Sequence, residues 1–244
     1  MNFQEWTPSE PARIVDLRPP GAFLDLSRYY GGSAPKVVEE VFGQAYSLGA
    51  RMAVIEYRYL DPDYRSEHSR FYSTTFRRYP SVGHRVHFFF DPPPVELEQP
   101  DAPYDFGGLA YLGYTVLRPL PGARVGRTML AAPSELSAHI HCQIEDTTNV
   151  FGRGRVVRGS PFMAQDAQLG VCAHMTLWTT AYFHHLAYGH RRILPVDVTD
   201  AVPANLGIGR PSPSTGLTVA QIAAGSLALG LPALVYDCES LPKR

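Results

Sequence analysis

Hydrophobic positions recur along the chain in two periods, one typical of helices and the other typical of strands. Helical spacing with capping residues predicts helices over 33–49, 61–76, 172–188 and 218–228. Runs of branched and aromatic residues predict strands over 13–17, 52–60, 84–90, 109–117, 125–131, 193–198 and 233–236. A hairpin is predicted from 138–144 and 154–157, with glycines in the turn that joins them.

The order of these segments indicates the fold class. Helices and strands are mixed without a regular strand–helix–strand alternation, so the chain is predicted to be an α+β protein. Residues 91–106 hold five prolines and several acids and are predicted to form a loop or linker. This places a boundary between an N-terminal α+β region, 1–106, whose role the sequence does not indicate, and a C-terminal region, 107–244.

Composition narrows the classes of function. The 244 residues carry a net charge of -1, so no basic surface for nucleic acid is expected. No apolar run reaches the roughly 18 residues of a membrane span, and the N-terminus lacks the basic and apolar regions of a signal peptide. The three cysteines, Cys142, Cys172 and Cys238, are odd in number and widely spaced. They favour a reducing cytoplasm and argue against a disulfide framework or a zinc ribbon.

The segment before the 172–188 helix carries the strongest chemical signal. Cys172 falls in the first turn of that helix, where the positive end of the helix dipole favours a thiolate. Gln165 and Gln168 precede it in a polar, glycine-containing segment. A glutamine amide can donate a hydrogen bond to a developing oxyanion. Cysteine is also among the most often buried residue types, so a core position for Cys172 is the competing interpretation.

The stretch from Gln165 to His174, followed by an apolar helix with Trp178, resembles the active-site helix of papain-like cysteine peptidases, and most of all the peptidase C39-like branch. The resemblance covers about residues 160–237. It implies a papain-like segment in the C-terminal half, a nucleophile at Cys172, an oxyanion-hole glutamine upstream and no cofactor or metal. The family's glutamine sits six positions before its cysteine, whereas Gln165 sits seven and Gln168 four positions before Cys172. Gln165 is favoured, since a one-residue insertion can be absorbed in the loop.

The resemblance also implies a histidine well after the cysteine, and no histidine lies beyond His190. Residues within one unbroken helix cannot turn back to Cys172, which excludes His174 and its later neighbours in that helix. Three explanations stay open. The base comes from upstream, at His139 or His141; it comes from another chain or a further segment; or the site is inactive and the fold serves for binding.

Two other patterns give weaker signals. His139 and His141 share one strand face at a metal-ligand spacing, which supports a metal-dependent enzyme only as a third choice. Arginines and aromatic residues alternate over 56–79 with acids between them, a composition typical of protein interfaces or solvated surface. The sequence thus predicts a cysteine peptidase or a related acyl-transfer enzyme that acts on a protein or peptide. The alternative is an inactive papain-like fold that binds a partner chain, as an oligomer or a hetero-complex.

Overall fold

A computed structural model of the chain describes residues 6–31, 35–94, 106–132, 142–165, 172–202 and 217–236. The strands are β1 (Ala12–Asp16), β2 (Met52–Tyr59), β3 (Gly83–Phe89), β4 (Tyr111–Leu117), β5 (Val125–Leu130), β6 (Ile144–Val150) and β7 (Arg153–Gly159). The helices are α1 (Ala22–Gly31), α2 (Pro35–Ser47), α3 (Pro62–Arg70), α4 (Cys172–Tyr188), α5 (Pro195–Ala201) and α6 (Val219–Ala228). The mixture of helices with antiparallel strands confirms the α+β class.

A five-stranded antiparallel sheet in the order β1-β2-β3-β4-β5 forms the centre of the fold. Its strands follow chain order, and β3 pairs with β4 from His84 opposite Leu117 to Phe89 opposite Tyr111. The predicted boundary between 1–106 and 107–244 falls between these two paired strands. The sheet therefore takes strands from both sides of that boundary.

Two layers cover the sheet. Alternate residues of β2 point to opposite faces, so Ala53 and Ile55 join a core with helices α1 and α2, while Met52 and Val54 join a core with Val150 of β6. The second face also carries α4, whose Phe183 packs against a cluster of β4, β5, β6 and β7 residues. Because both faces are covered, all seven residues of β3 are buried.

The hairpin β6–β7 differs from its prediction. Its first strand begins at Ile144, where the predicted strand was to end, and residues 133–141 lie outside the described residues. The predicted pattern failed because two of the inward positions, Asp146 and Thr148, are polar. They face the core since buried side chains hydrogen-bond them. The predicted glycine turn is confirmed as Phe151-Gly152, both with positive φ.

Several other predictions change. The 61–76 helix begins as predicted at the Asp61 cap but ends at Arg70, before a short 3-10 helix at Tyr72–Thr74. Helix α1 has no predicted counterpart. The strand predicted at 193–198 is wrong, because Pro195 opens helix α5 and Asp197 accepts the Leu194 N–H at 2.8 Å. The strand predicted at 233–236 is also wrong, since these residues are exposed and irregular.

Candidate active site

Cys172 is the first residue of the seventeen-residue helix α4, as the sequence predicts. Its side chain is exposed, so the competing interpretation of a core cysteine is wrong. The Cys172 Sγ–H donates to Oε1 of Gln165, with 2.8 Å between the two heavy atoms. The structure therefore brings together two of the three predicted site residues. The third, Gln168, lies outside the described residues.

Gln165 directly follows a short extended segment that lies against β5. The backbone of Phe162 exchanges two hydrogen bonds with Thr128, of 2.8 and 3.0 Å. Two residues later the N–H of Ala164 donates to the carbonyl oxygen of Val125 at 3.2 Å. The segment thus continues the sheet beyond its last strand, and it delivers Gln165 to the start of α4.

A buried arginine secures the end of this segment. Nη2 of Arg118 donates to the carbonyl oxygens of Ala164, at 2.9 Å, and Val125, at 3.1 Å, while its Nε donates to Ala123. Nη1 pairs with Oε2 of Glu67 on α3 at 3.0 Å, and both side chains are only 1% exposed. The guanidinium group therefore uses its fixed fork of donors to join one carboxylate and three carbonyl groups.

Helix α4 is secured by its buried aromatic face. Nε1 of Trp178 donates to Oδ1 of Asp63 on α3 at 3.1 Å. Tyr182 stacks on Trp178 with 5.3 Å between ring centroids, and its hydroxyl donates to Asp146 of β6 at 2.8 Å. Because these contacts lie two and three turns after Cys172, they orient the helix without occupying its N-terminus.

Two buried carboxylates and two partly exposed arginines form a cluster beneath α4. Arg192 binds both oxygens of Asp63, at 2.7 and 2.5 Å, and Arg127 binds Asp61 at 3.0 Å and lies 3.6 Å from Asp63. Burial, together with the neighbouring Asp61 carboxylate, raises the pKa of Asp63 to about 6 despite the two arginines. These charges are bound to one another, so the cluster holds elements together rather than facing a substrate.

A second polar cluster ties β2 and β3 to the hairpin. Arg85 pairs with Glu56 at 2.7 Å and donates to Thr148 Oγ1, also at 2.7 Å. His87, fully buried beside them, contacts the Tyr111 hydroxyl through Nδ1 at 2.8 Å. Burial lowers the pKa of His87 to about 4, so its imidazole is neutral at pH 7.

The sequence favoured an interface or a solvated surface for residues 56–79, but three of the four acids in this stretch lie in the interior. Asp61, Asp63 and Glu67 are buried, and their partners are arginines from distant elements. The arginines of the same stretch, such as Arg65 and Arg70, are exposed. The sequence carries one signal of this burial. The positions of Asp63 and Glu67 differ by four, so the two residues share one face of the helix.

No imidazole of the described residues hydrogen-bonds the Cys172 sulfur, whose described partner is Gln165. His174 is buried within α4, which is unbroken to Tyr188. Three other histidines bind groups other than the Cys172 sulfur. His68 contacts the Tyr79 carbonyl, His84 the Tyr30 hydroxyl, and His185 the His190 carbonyl. His139 and His141, the upstream candidates for the base, lie outside the described residues.

Comparisons of the chain with protein-family models, with curated proteins and with solved structures find no significant match. Within the described part of the chain, no group of three or more histidine, cysteine, aspartate or glutamate side chains is arranged to hold a metal ion. The helices of that part are too short or too polar to cross a membrane.

Proposed function

We propose that the protein is a cysteine-dependent acyl-transfer enzyme, of which a peptidase is one form, with Cys172 as the nucleophile. The observation that carries this proposal is the 2.8 Å contact between the exposed Cys172 sulfur and Gln165 at the N-terminus of α4. This contact supports the proposal because an exposed sulfur is open to a substrate, and an amide beside it can donate to a developing oxyanion.

The proposed step is nucleophilic attack on an ester or amide carbonyl. The thiol proton passes to a base, a bond forms between Sγ and the carbonyl carbon, and the carbonyl oxygen gains negative charge. Because Oε1 of Gln165 accepts from the thiol, its Nε2 amino group is left to donate to that oxygen. The bond to the leaving group then breaks, the leaving group takes a proton, and water hydrolyses the thioester.

A non-catalytic binding or assembly role is the second candidate. One observation favours it: among the described residues no imidazole reaches the Cys172 sulfur. In that case the exposed N-terminus of α4 would contact a partner chain, and Cys172 would react no faster than an ordinary thiol.

Site-resolved labelling separates the two candidates. The protein is treated with iodoacetamide from pH 5 to 9, and separately with p-nitrophenyl acetate, and each cysteine is quantified by peptide mass spectrometry. An ordinary thiol becomes a thiolate near pH 8.5. Selective labelling of Cys172 at pH 6, together with faster acetylation than the exposed Cys142, supports the enzyme. Equal reactivity of the two cysteines contradicts it and supports the binding role.

A further inference from the structure

We infer that Arg118, anchored by Glu67, is a positioning residue that sets Gln165 against Cys172. This inference rests on the proposed function, since it assigns how the oxyanion donor of that same site is held. Arg118 touches no reacting atom and acts through the backbone that precedes Gln165.

The first step of the argument is the peptide plane. The Ala164 carbonyl that accepts from Arg118 belongs to the same planar peptide unit as the Gln165 nitrogen. A guanidinium donor 2.9 Å from that oxygen therefore sets the orientation of the plane from which the Gln165 side chain departs. The bond from Arg118 to Val125 holds the facing strand with the same Nη2 atom, so the segment and β5 keep a constant separation.

The second step is the origin of the anchor. Glu67, which pairs with Arg118, and Asp63, which holds Trp178 of α4, lie four residues apart on the buried face of α3. Side chains at this spacing lie one above the other on a helix. Helix α3 therefore holds the segment that ends in Gln165 with one carboxylate and the helix that begins at Cys172 with the other.

The third step concerns the type of interaction. A buried ion pair stabilises a fold little more than apolar residues of the same volume would, because both charges lose their water. Leucine and methionine in place of Glu67 and Arg118 would pack the same space, but they would leave the Ala164 and Val125 carbonyls without this donor. The arginine donors fix the orientation of those two carbonyl groups. A catalytic site requires such fixed geometry.

The test uses Arg118→Lys, which keeps the charge and loses the fork of donors. Two rates are measured at Cys172: acetylation by p-nitrophenyl acetate, which passes through an oxyanion, and alkylation by iodoacetamide, which does not. We expect acetylation to fall about 10- to 100-fold while alkylation does not fall. If Arg118→Lys does not fold, Glu67→Gln is measured instead. This variant removes only the charge of the Glu67 side chain and should also lower acetylation.

Two controls separate positioning from general loosening. Arg85→Lys alters an arginine of similar burial that binds Glu56 and Asn149, away from Gln165, and should change neither rate. In a Gln165→Ala background, Arg118→Lys should cause no further loss of acetylation, because its effect passes through the glutamine.

The outcomes are distinguishable. Wild-type Cys172 that is acetylated no faster than Cys142 overturns the proposed function and the inference with it. Fast wild-type acetylation that falls with Gln165→Ala but not with Arg118→Lys or Glu67→Gln keeps the function and overturns the role of Arg118. Additive losses of acetylation in the variant that combines Gln165→Ala with Arg118→Lys also keep the function and overturn the role of Arg118.

Discussion

Asp63 and Glu67 lie one turn apart on the buried face of α3, and each carboxylate holds a different half of the candidate site. Asp63 accepts from Trp178 of the cysteine helix, while Glu67 pairs with the arginine that binds the carbonyl next to Gln165. The pair Cys172–Gln165 thus lies where two successive elements of the chain are both held by a third. Changes in α3 should therefore affect the site although no α3 residue contacts the sulfur.

The interactions of Asp63 should contribute to the stability of the fold. Asp63→Asn replaces one of the two carboxylate oxygens that Arg192 binds with an amino group, which cannot accept a hydrogen bond from the guanidinium. Leaving buried donors without an acceptor typically costs about 1–3 kcal/mol, so we expect a loss of this size in the free energy of unfolding at pH 7.5, measured by urea denaturation.

Asp200→Asn is the matched control for this change. Asp200 pairs with Arg70, but both side chains are more than half exposed, and the pair is expected to contribute less than about 1 kcal/mol. Equal losses in the two variants would mean that the buried cluster holds α4 no more firmly than a surface ion pair does.

Most elements of the fold follow from local sequence signals, and the exceptions share one cause. The β2, β3 and β4 predictions succeed because these strands are rich in branched and aromatic residues and lie between turn residues. The β6 prediction fails because Asp146 faces inward, where the Tyr114 and Tyr182 hydroxyls bind it. An inward polar residue is meaningful only when its distant partners are known, and a single sequence does not reveal them.

The residues of the candidate site also fall into two groups, those that the sequence predicts and those that it does not. Cys172 and Gln165 are predictable because the start of a helix and a nearby amide are local features of the sequence. Arg118 and Glu67 are not, because their roles depend on their contact with each other, and they are 51 positions apart. In the sequence Arg118 reads as the polar end of a strand before a proline, and nothing local indicates that it is buried.

The buried histidines predict how stability depends on pH. Burial lowers the pKa of both His84 and His87 to about 4, below the ordinary value near 6.5. Each contributes stability that is complete above pH 6.5 and is lost as the pH falls toward 4. By linkage, each histidine makes the fold about 2 kcal/mol less stable at pH 5 than at pH 7. Asp63 has a raised pKa, so its contribution has the opposite sign and offsets about 1 kcal/mol.

His87→Gln checks this assignment, because an amide can bind the Tyr111 hydroxyl but does not titrate. Urea denaturation at pH 5 and pH 7 should give a difference in unfolding free energy that is about 2 kcal/mol smaller in the variant than in the wild type. His68→Gln, at a partly exposed histidine on α3, is the matched substitution against which the change in His87→Gln is compared. An unchanged difference in His87→Gln would refute the role of His87.

A glycine contact joins β7 to the edge of the central sheet. Gly159 forms a bridge with Ala131, and a Cβ at Gly159 would overlap the Leu130 carbonyl oxygen. Because that oxygen is backbone and cannot move aside, Gly159→Ala should lower the melting temperature by an amount equivalent to about 1–3 kcal/mol. Gly154→Ala on the same strand, where the nearest atom is 4.0 Å away, should change it by less than about 0.5 kcal/mol. Similar melting temperatures for the two variants would exclude the close approach.

The catalytic base is the part of the proposed mechanism that the described residues do not supply, and this gives the last prediction. Of the nine histidines, only His139 and His141 lie outside those residues, and the rest are buried, bound elsewhere or carried on or just after α4. We expect His139→Gln or His141→Gln to lower the acetylation of Cys172 at pH 7 by about 100-fold or more, the usual contribution of a general base. His190→Gln, beyond the far end of α4, is the control and should leave acetylation unchanged. If neither upstream variant slows a fast wild-type reaction, a further segment and another chain remain as sources of the base, and a second copy of this chain is tested first. Acetylation per molecule should then rise with protein concentration, and a rate independent of concentration would exclude a base from another copy of this chain.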